Sequence, residues 1–111
     1  MTTGGETIFQ SFAMRVLPGK QAKLLNFIAQ MREARVGAGL PPANVVRVAI
    51  GEANTVLVVR AYADSAAWAA DQAAGQPDAV NAVLEQAQTD PEFPYSEPIG
   101  SRVLRDITDE L

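Results

Sequence analysis

One stretch near the start of the chain constrains the fold most. In residues 7–17, TIFQSFAMRVL, Ile8, Phe12, Met14 and Val16 share one parity. The other parity carries Phe9, Ser11, Ala13 and Arg15. Alternation of this kind predicts a strand with one apolar face. Pro18-Gly19 ends the strand, because proline cannot donate to a sheet ladder and glycine suits a turn.

Two further strands are predicted after a helix. Residues 20–36 place apolar side chains three, four and seven apart, which is typical of an amphipathic helix. Residues 44–50 and 55–63 are β-rich and are separated by the short loop 51–54. If this loop closes a hairpin, the numbers of opposed residues sum to about 105 by hairpin geometry. Val46 then faces Val59, Val48 faces Leu57, and Arg47 lies diagonal to Arg60.

The second half of the chain contains a helix in two pieces and a last strand. Asp64 or Ser65 is a candidate N-cap for a helix over 66–74, and Pro77 suits the first turn of the next helix. A proline-rich stretch, 90–98, precedes a strand predicted over 99–107. The order β-α-β-β-α-β predicts an α+β, ferredoxin-like domain with a four-stranded antiparallel sheet.

We expect a flexible arm over 1–6, the folded domain over 7–108 and a short acidic tail over 109–111. The helices cover one face of such a sheet and leave the other open. A large apolar surface of that kind calls for a partner, so the protein is predicted to form a homodimer. The expected residues of this open face are Phe9, Ala13, Val45, Ala49, Val56, Val58 and Tyr62.

Composition excludes several kinds of chemistry. The chain has neither histidine nor cysteine, which removes histidine general bases, ordinary zinc sites and Ser-His or Cys-His nucleophiles. A net charge of -4 with nine Lys and Arg residues argues against nucleic-acid binding. Neither a signal peptide nor an apolar run long enough for a membrane span is visible. We therefore expect a cytoplasmic protein that uses no cofactor and does not bind a membrane.

Three arginines are the leading candidates for ligand binding. Arg15, Arg47 and Arg60 are predicted to converge on one sheet face, where they would bind an anion. The alternative is that they form ion pairs with acids at the rim of the sheet. Tyr62 is a candidate acid-base group, because neighbouring cations favour its phenolate. Its alternative role is packing.

The remaining candidates are fewer and each has a structural alternative. Trp68 is predicted either to wall a cavity or to fill the core beneath its helix. Phe93 and Tyr95 either cover the mouth of a cavity or anchor their loop. Ser11 is a hydrogen-bonding group on the first strand. The carboxylates Asp64, Asp71, Asp78 and Glu85 are predicted to lie at caps or in solvent.

Together, these segments resemble the dimeric α+β barrel superfamily, which includes NIPSNAP-like and antibiotic-biosynthesis-monooxygenase-like domains. The similar features are Pro18-Gly19 after the first strand, Arg60-Ala-Tyr62, the helix with Trp68, and Asp90-Pro91-Glu92-Phe93. The resemblance covers residues 7–108. It implies a homodimer closed into a barrel, and a cavity whose wall includes Trp68, Tyr62, Arg47 or Arg60.

Three functional hypotheses follow. The first is a small-molecule-binding protein for an apolar anionic or enolisable ligand, with Arg15, Arg47, Arg60, Trp68, Tyr95 and Ser11 as binding residues. If it is an enzyme, the resemblance implies cofactor-free monooxygenase or isomerase chemistry, with Arg60 and Tyr62 as catalytic residues. The second hypothesis is a non-catalytic interaction module with a filled barrel. The third is an amino-acid-binding regulatory domain.

Overall fold

The computed structural model describes residues 7–48, 51 and 53–111. Four strands form one antiparallel sheet in the order β2-β3-β1-β4. The helices and the sheet give the predicted ferredoxin-like α+β fold, with the second helix in two pieces. In chain order the elements are β1 (Ile8–Val16), α1 (Gln21–Gly37), β2 (Asn44–Arg47), β3 (Thr55–Tyr62), α2 (Ser65–Ala74), α3 (Asp78–Gln88), β4 (Ser96–Arg105) and a 3-10 turn (Thr108–Glu110).

One face of the sheet is covered by helices. In the pairing of β1 with β3, Gln10 opposes Arg60 and Phe12 opposes Val58, so the even positions of both strands share this helix-covered face. Its apolar side chains pack against α1 and the segment before β4, where their removal from water stabilises the fold. The buried core consists of Val16, Leu24, Ile28, Val56 and Tyr95.

The odd positions of β1 and β3 form the opposite, open face of the sheet. It carries Phe9, Ser11, Ala13 and Arg15 from β1 and Leu57, Val59 and Ala61 from β3. The predicted composition of this face was wrong for Val45, Val56, Val58 and Tyr62. The register places them on the helix-covered face, and Val56 is 2% exposed within the core. The face nevertheless keeps an apolar centre.

The register of the hairpin also differs from the predicted one. Val45 pairs with Val58 and Arg47 with Val56, so the numbers of two paired residues add up to two less than expected. A shift of two residues leaves every side chain on the same face, so alternation could not distinguish the two registers. Arg47 consequently lies four positions along β3 from Arg60, about 13 Å by strand geometry. The predicted diagonal contact between the two arginines is wrong.

Some of the predictions concern residues outside the described ones. These are residues 1–6 of the predicted arm, Ala49 of the predicted open face, and Ile50 and Glu52 of the predicted hairpin.

The last strand begins three residues earlier than predicted. Ala13 pairs with Gly100 and Met14 with Pro98, which leaves Ile99 as an extra residue, a β-bulge. Pro98 is tolerated because β4 is at the edge of the sheet. In the described part of the chain, no helix has the length and apolar character needed to cross a membrane.

Candidate functional site

A cavity of about 780 Å³ lies between the helix-covered face and the helices. β1, β2 and β3 form its floor, and α1 forms its roof. Further walls come from α2, from Leu84 of α3 and from small residues of β4. Its main lining residues are Gln10, Phe12, Met14, Val45, Val58 and Arg60 below, Leu24, Phe27, Ile28, Met31, Arg32 and Arg35 above, and Asp71, Gln72, Gly75 and Gln76 at the side.

One end of this cavity is polar and is organised around Asp71. Its Oδ2 accepts a hydrogen bond from Arg35 Nη2 at 3.0 Å and another from the Tyr62 hydroxyl at 2.5 Å. The Arg35 and Asp71 side chains are only 6% and 8% exposed. This ion pair therefore has little access to water, and its geometry is fixed by three elements at once.

The local sequence explains why these side chains meet. Arg35 follows Leu24 and Ile28 by eleven and seven residues, so it extends the buried stripe of α1 into the last turn. Asp71 is carried by α2, whose start is fixed because the Asp64 side chain accepts from the Ala67 N–H at 2.8 Å. This confirms Asp64 as the N-cap. Tyr62 is the last residue of β3.

The contacts of this group set its protonation states. Burial opposes the ionisation of Asp71, but hydrogen bonds from Tyr62 and Arg35 and the nearby positive charges outweigh it. The pKa of Asp71 is therefore lowered from 3.8. For Tyr62, burial together with the hydrogen bond to Asp71 raises the pKa above 10.0, against the opposing effect of Arg60. The predicted phenolate character of Tyr62 is wrong, because its proton is held by a carboxylate.

Arg60 projects into the cavity from the middle of the floor. Its guanidinium carbon lies 5.1 Å from the centre of the Phe12 ring, a cation–π arrangement. Its Nε is buried and has no hydrogen-bond partner among the described residues. A desolvated guanidinium donor without an acceptor is costly, so this position favours an anionic group in the cavity.

Gln10 lies beside Arg60 on the floor. The two residues are directly opposed across β1 and β3. Gln10 is 8% exposed, and its Oε1 accepts from Gln72 Nε2 of α2 at 3.2 Å. The cavity thus contains a fixed amide next to the arginine. Its position on the apolar parity of β1 is visible in the sequence, but this pattern alone does not predict a role for it.

The other predicted arginines and Ser11 do not reach this cavity. Arg15 lies on the open face and forms an exposed ion pair with Glu97 at 2.7 Å. Ser11 also lies on the open face, so both residues are separated from the cavity by the sheet. Arg47 is exposed on the same side of the sheet as Arg60, but it is not part of the lining. The predicted convergence of three arginines is wrong because Arg15 has the opposite parity.

The predicted aromatic residues lie in other places. Trp68 is half-buried on α2 outside the cavity lining, and its Nε1 is buried without a partner among the described residues. Tyr95 is a core residue in edge-to-face contact with Phe27 and Phe93. Its hydroxyl donates to Asp90 at 2.9 Å. Tyr95 lines a smaller cavity of about 240 Å³ at α1 and α3 instead.

Arg35 and Asp71 are the residues of the site that sequence reasoning missed. Asp71 was predicted to be solvated, which is wrong, because the charge of Arg35 draws it into the interior. The signal was present in α1, where an arginine continues the stripe of Leu24 and Ile28. A buried arginine requires an acidic partner, and α2 offers one between its alanines.

Comparisons with known proteins support the fold. No protein-family model matches the chain, and the search of curated proteins gave no match. The crystal structure of a NIPSNAP family protein from Agrobacterium tumefaciens strain C58 is similar, with a TM-score of 0.62 and 16% sequence identity. The similarity covers 96% of this chain and 90% of that chain. The NIPSNAP-like fold inferred from the sequence is thereby confirmed.

Proposed function

We propose that this protein binds a small apolar monoanion in the cavity, with the anionic group on Arg60. The observation that carries the proposal is the buried Arg60 Nε without a partner, facing a cavity of about 780 Å³. Cavities of this size are typical of small-molecule sites. The fold similarity to the NIPSNAP family protein is compatible with such a site but does not transfer a function.

The balance of charge supports a single negative charge on the ligand. Asp71 compensates Arg35 through a direct ion pair. Arg60 forms no ion pair of its own among the described residues, although its positive charge acts on Asp71 and its side chain interacts with the Tyr62 hydroxyl. Its Nε has no hydrogen-bond partner there, and the exposed Arg32 donates to the Ala43 carbonyl at 2.7 Å. One carboxylate on Arg60 would give this second arginine of the cavity an anion of its own and its buried Nε an acceptor.

The rest of the cavity supports an apolar ligand body. Away from Arg60 and the polar end around Asp71, most of the walls are aliphatic, aromatic and thioether side chains, including Leu24, Phe27 and Leu84. Met14 and Met31, the only methionines after Met1, both line it. Methionine side chains adapt to different shapes, so we expect the site to tolerate variation in the ligand body. The same space argues against the alternative of an interaction module with a filled interior.

Hydrocinnamate, an aryl carboxylate of suitable size, tests this proposal by titration calorimetry. Replacement R60Q is expected to weaken binding about tenfold or more, because a charge-assisted hydrogen bond is lost. The matched control is R47Q, which changes an arginine on the same side of the sheet outside the cavity and is expected to leave affinity unchanged. Equal affinities of wild type and R60Q, with intact folding by circular dichroism, would refute the role of Arg60.

The proposal includes self-association through the open face. The centre of this face is apolar, with Phe9, Leu57 and Val59, while Arg15 and Glu97 form an ion pair near one end. A two-fold dimer brings the same patch together twice, so an apolar centre with charges of both signs at its margin suits a second copy of this chain. The homodimer buries the face opposite the cavity.

Cofactor-free catalysis is the second candidate function. Arg60 presents a buried, unpaired donor to the cavity, and a donor of this kind can stabilise a developing oxyanion or enolate. Enolisation also needs a group that takes the proton, and Asp71, which accepts from Tyr62, is the only carboxylate among the described lining residues. Arg60 is therefore the candidate catalytic residue, as predicted, whereas Tyr62 positions Asp71.

Exchange of the benzylic protons of phenylpyruvate in D₂O, followed by NMR, separates catalysis from binding. An enzyme of isomerase type is expected to accelerate exchange over buffer, and R60Q is expected to lose the acceleration because the enolate loses its counter-charge. Binding of phenylpyruvate without any acceleration by wild type would contradict enolisation chemistry. It would leave the binding function intact.

A further inference from the structure

Gln10 is the most informative polar residue of the cavity after Arg60. It is more than nine-tenths buried. The other residues of β1 with the same parity, Ile8, Phe12, Met14 and Val16, are all apolar. Because it is directly opposed to Arg60, the two Cβ atoms lie about 5 Å apart by sheet geometry. Its amide and the Arg60 guanidinium can therefore contact adjacent atoms of one ligand.

The contact with Gln72 orients this amide. Gln72 Nε2 donates to Gln10 Oε1 at 3.2 Å, which leaves Gln10 Nε2 as the free end. No described residue accepts a hydrogen bond from that nitrogen. The Arg60 Nε beside it is buried without an acceptor, and a ligand bound on the cavity floor would remove Gln10 Nε2 from water as well. Two neighbouring donors on the cavity floor thus lack acceptors.

We propose that the ligand is an apolar carboxylate with an oxygen on the adjacent carbon, a 2-oxo or 2-hydroxy acid. This inference rests on the proposed function. The carboxylate accepts from Arg60, and the neighbouring oxygen accepts from Gln10 Nε2. A plain carboxylate satisfies Arg60 alone and leaves the Gln10 donor desolvated and unpaired, and sites built to pair such a group discriminate strongly against ligands that lack the acceptor.

Phenylpyruvate and hydrocinnamate form a matched pair for the test, because they differ only in the oxo group next to the carboxylate. Calorimetric titration of the wild-type protein is expected to show about tenfold tighter binding of phenylpyruvate, the effect of one buried hydrogen bond. Phenyllactate, with a hydroxyl at the same carbon, is expected to share this preference. The variant Q10L is expected to bind phenylpyruvate and hydrocinnamate equally, at the affinity that wild type has for hydrocinnamate.

Gln72 provides a second variant that leaves the strand untouched. As a positioning residue, Gln72 acts through Gln10, so Q72L is expected to reduce the ratio of the affinities for phenylpyruvate and hydrocinnamate. Gln88, which is exposed at the end of α3 and is not part of the cavity lining, provides the control Q88L, with the preference retained.

The outcomes separate this inference from the function on which it rests. If wild type binds neither acid, the proposed function is wrong and the inference falls with it. If wild type binds both acids equally, or if Q10L and Q72L keep the full preference, the role of Gln10 is wrong while the apolar monoanion site stands.

Discussion

At the polar end of the cavity, the Asp71 carboxylate is the acceptor that two other side chains share. It accepts from Arg35 of α1 and from Tyr62 of β3, while its own helix supplies the cavity wall. All three side chains are largely buried, so their interaction is screened less than that of an exposed ion pair. The exposed pair between Arg15 and Glu97 is expected to contribute little by comparison.

The first stability prediction concerns D71N. The amide keeps the shape of the side chain but leaves the buried Arg35 without a counter-charge, so the free energy of unfolding in urea is expected to fall. The expected loss is about 2 kcal/mol, below the range for fully dry pairs because the cavity admits water. D78N, at an exposed position in the first turn of α3, is the control, with an expected change below about 0.5 kcal/mol. Equal effects of both variants would contradict the role of Asp71.

The same variant gives a pH dependence with a defined sign. Because the pKa of folded Asp71 lies below its ordinary value of 3.8, the ionised form stabilises the protein above that value. This contribution is lost as the pH falls through the folded pKa. The difference in unfolding free energy between wild type and D71N is therefore expected to be constant above about pH 5 and to shrink below pH 4. A difference that grows on acidification would contradict this assignment.

At the scale of elements, the sequence predicts each strand and helix better than it predicts how they meet. Alternation identified β1 and the stripe identified α1, since both patterns are local. The register of β2 against β3 was off by two, which no side-chain pattern in the hairpin reveals. Which residues of β1 share a face with Arg60 depends on the pairing of β1 with β3, in which Gln10 opposes Arg60, fifty residues further along the chain. Alternation within β1 does not reveal this pairing, so Arg15 was wrongly predicted to share a face with Arg60.

The cavity illustrates the same limit, because α2 contributes no residue to the buried apolar core. Its composition of alanine with a few polar side chains predicts a solvated surface around Asp71 and Gln72. The hydrogen-bond partners of these two residues, Arg35 and Gln10, come from α1 and β1. Arg60 was predicted as a binding residue from the sequence, together with Arg15 and Arg47, because all three lie in predicted strands. The group around it could not be predicted, because each partner belongs to a different element.

At the scale of the whole molecule, the sheet separates two surfaces with different tasks. Arg60, Gln10 and the cavity lie on the helix-covered side. Leu57, Val59 and Phe9 lie on the open side and are half-buried in the single chain. Because the two sides are separated by the backbone of the sheet, the proposed dimer and the proposed binding site can be tested independently.

The variant L57E provides that test, with sedimentation equilibrium as the measurement. Wild type is expected to behave as a dimer of 11.8 kDa chains, since the apolar centre of the open face gains by burial. A glutamate at the centre of the interface must lose its hydration without a partner, so L57E is expected to raise the dimer dissociation constant on the order of a hundredfold or more. L25E, which introduces the same charge at a leucine that is 36% exposed on α1, is expected to remain dimeric. Since Leu57 faces away from the cavity, monomeric L57E is expected to bind hydrocinnamate as wild type does. A wild-type protein that sediments as a single chain would contradict the open-face proposal and leave the cavity assignment intact.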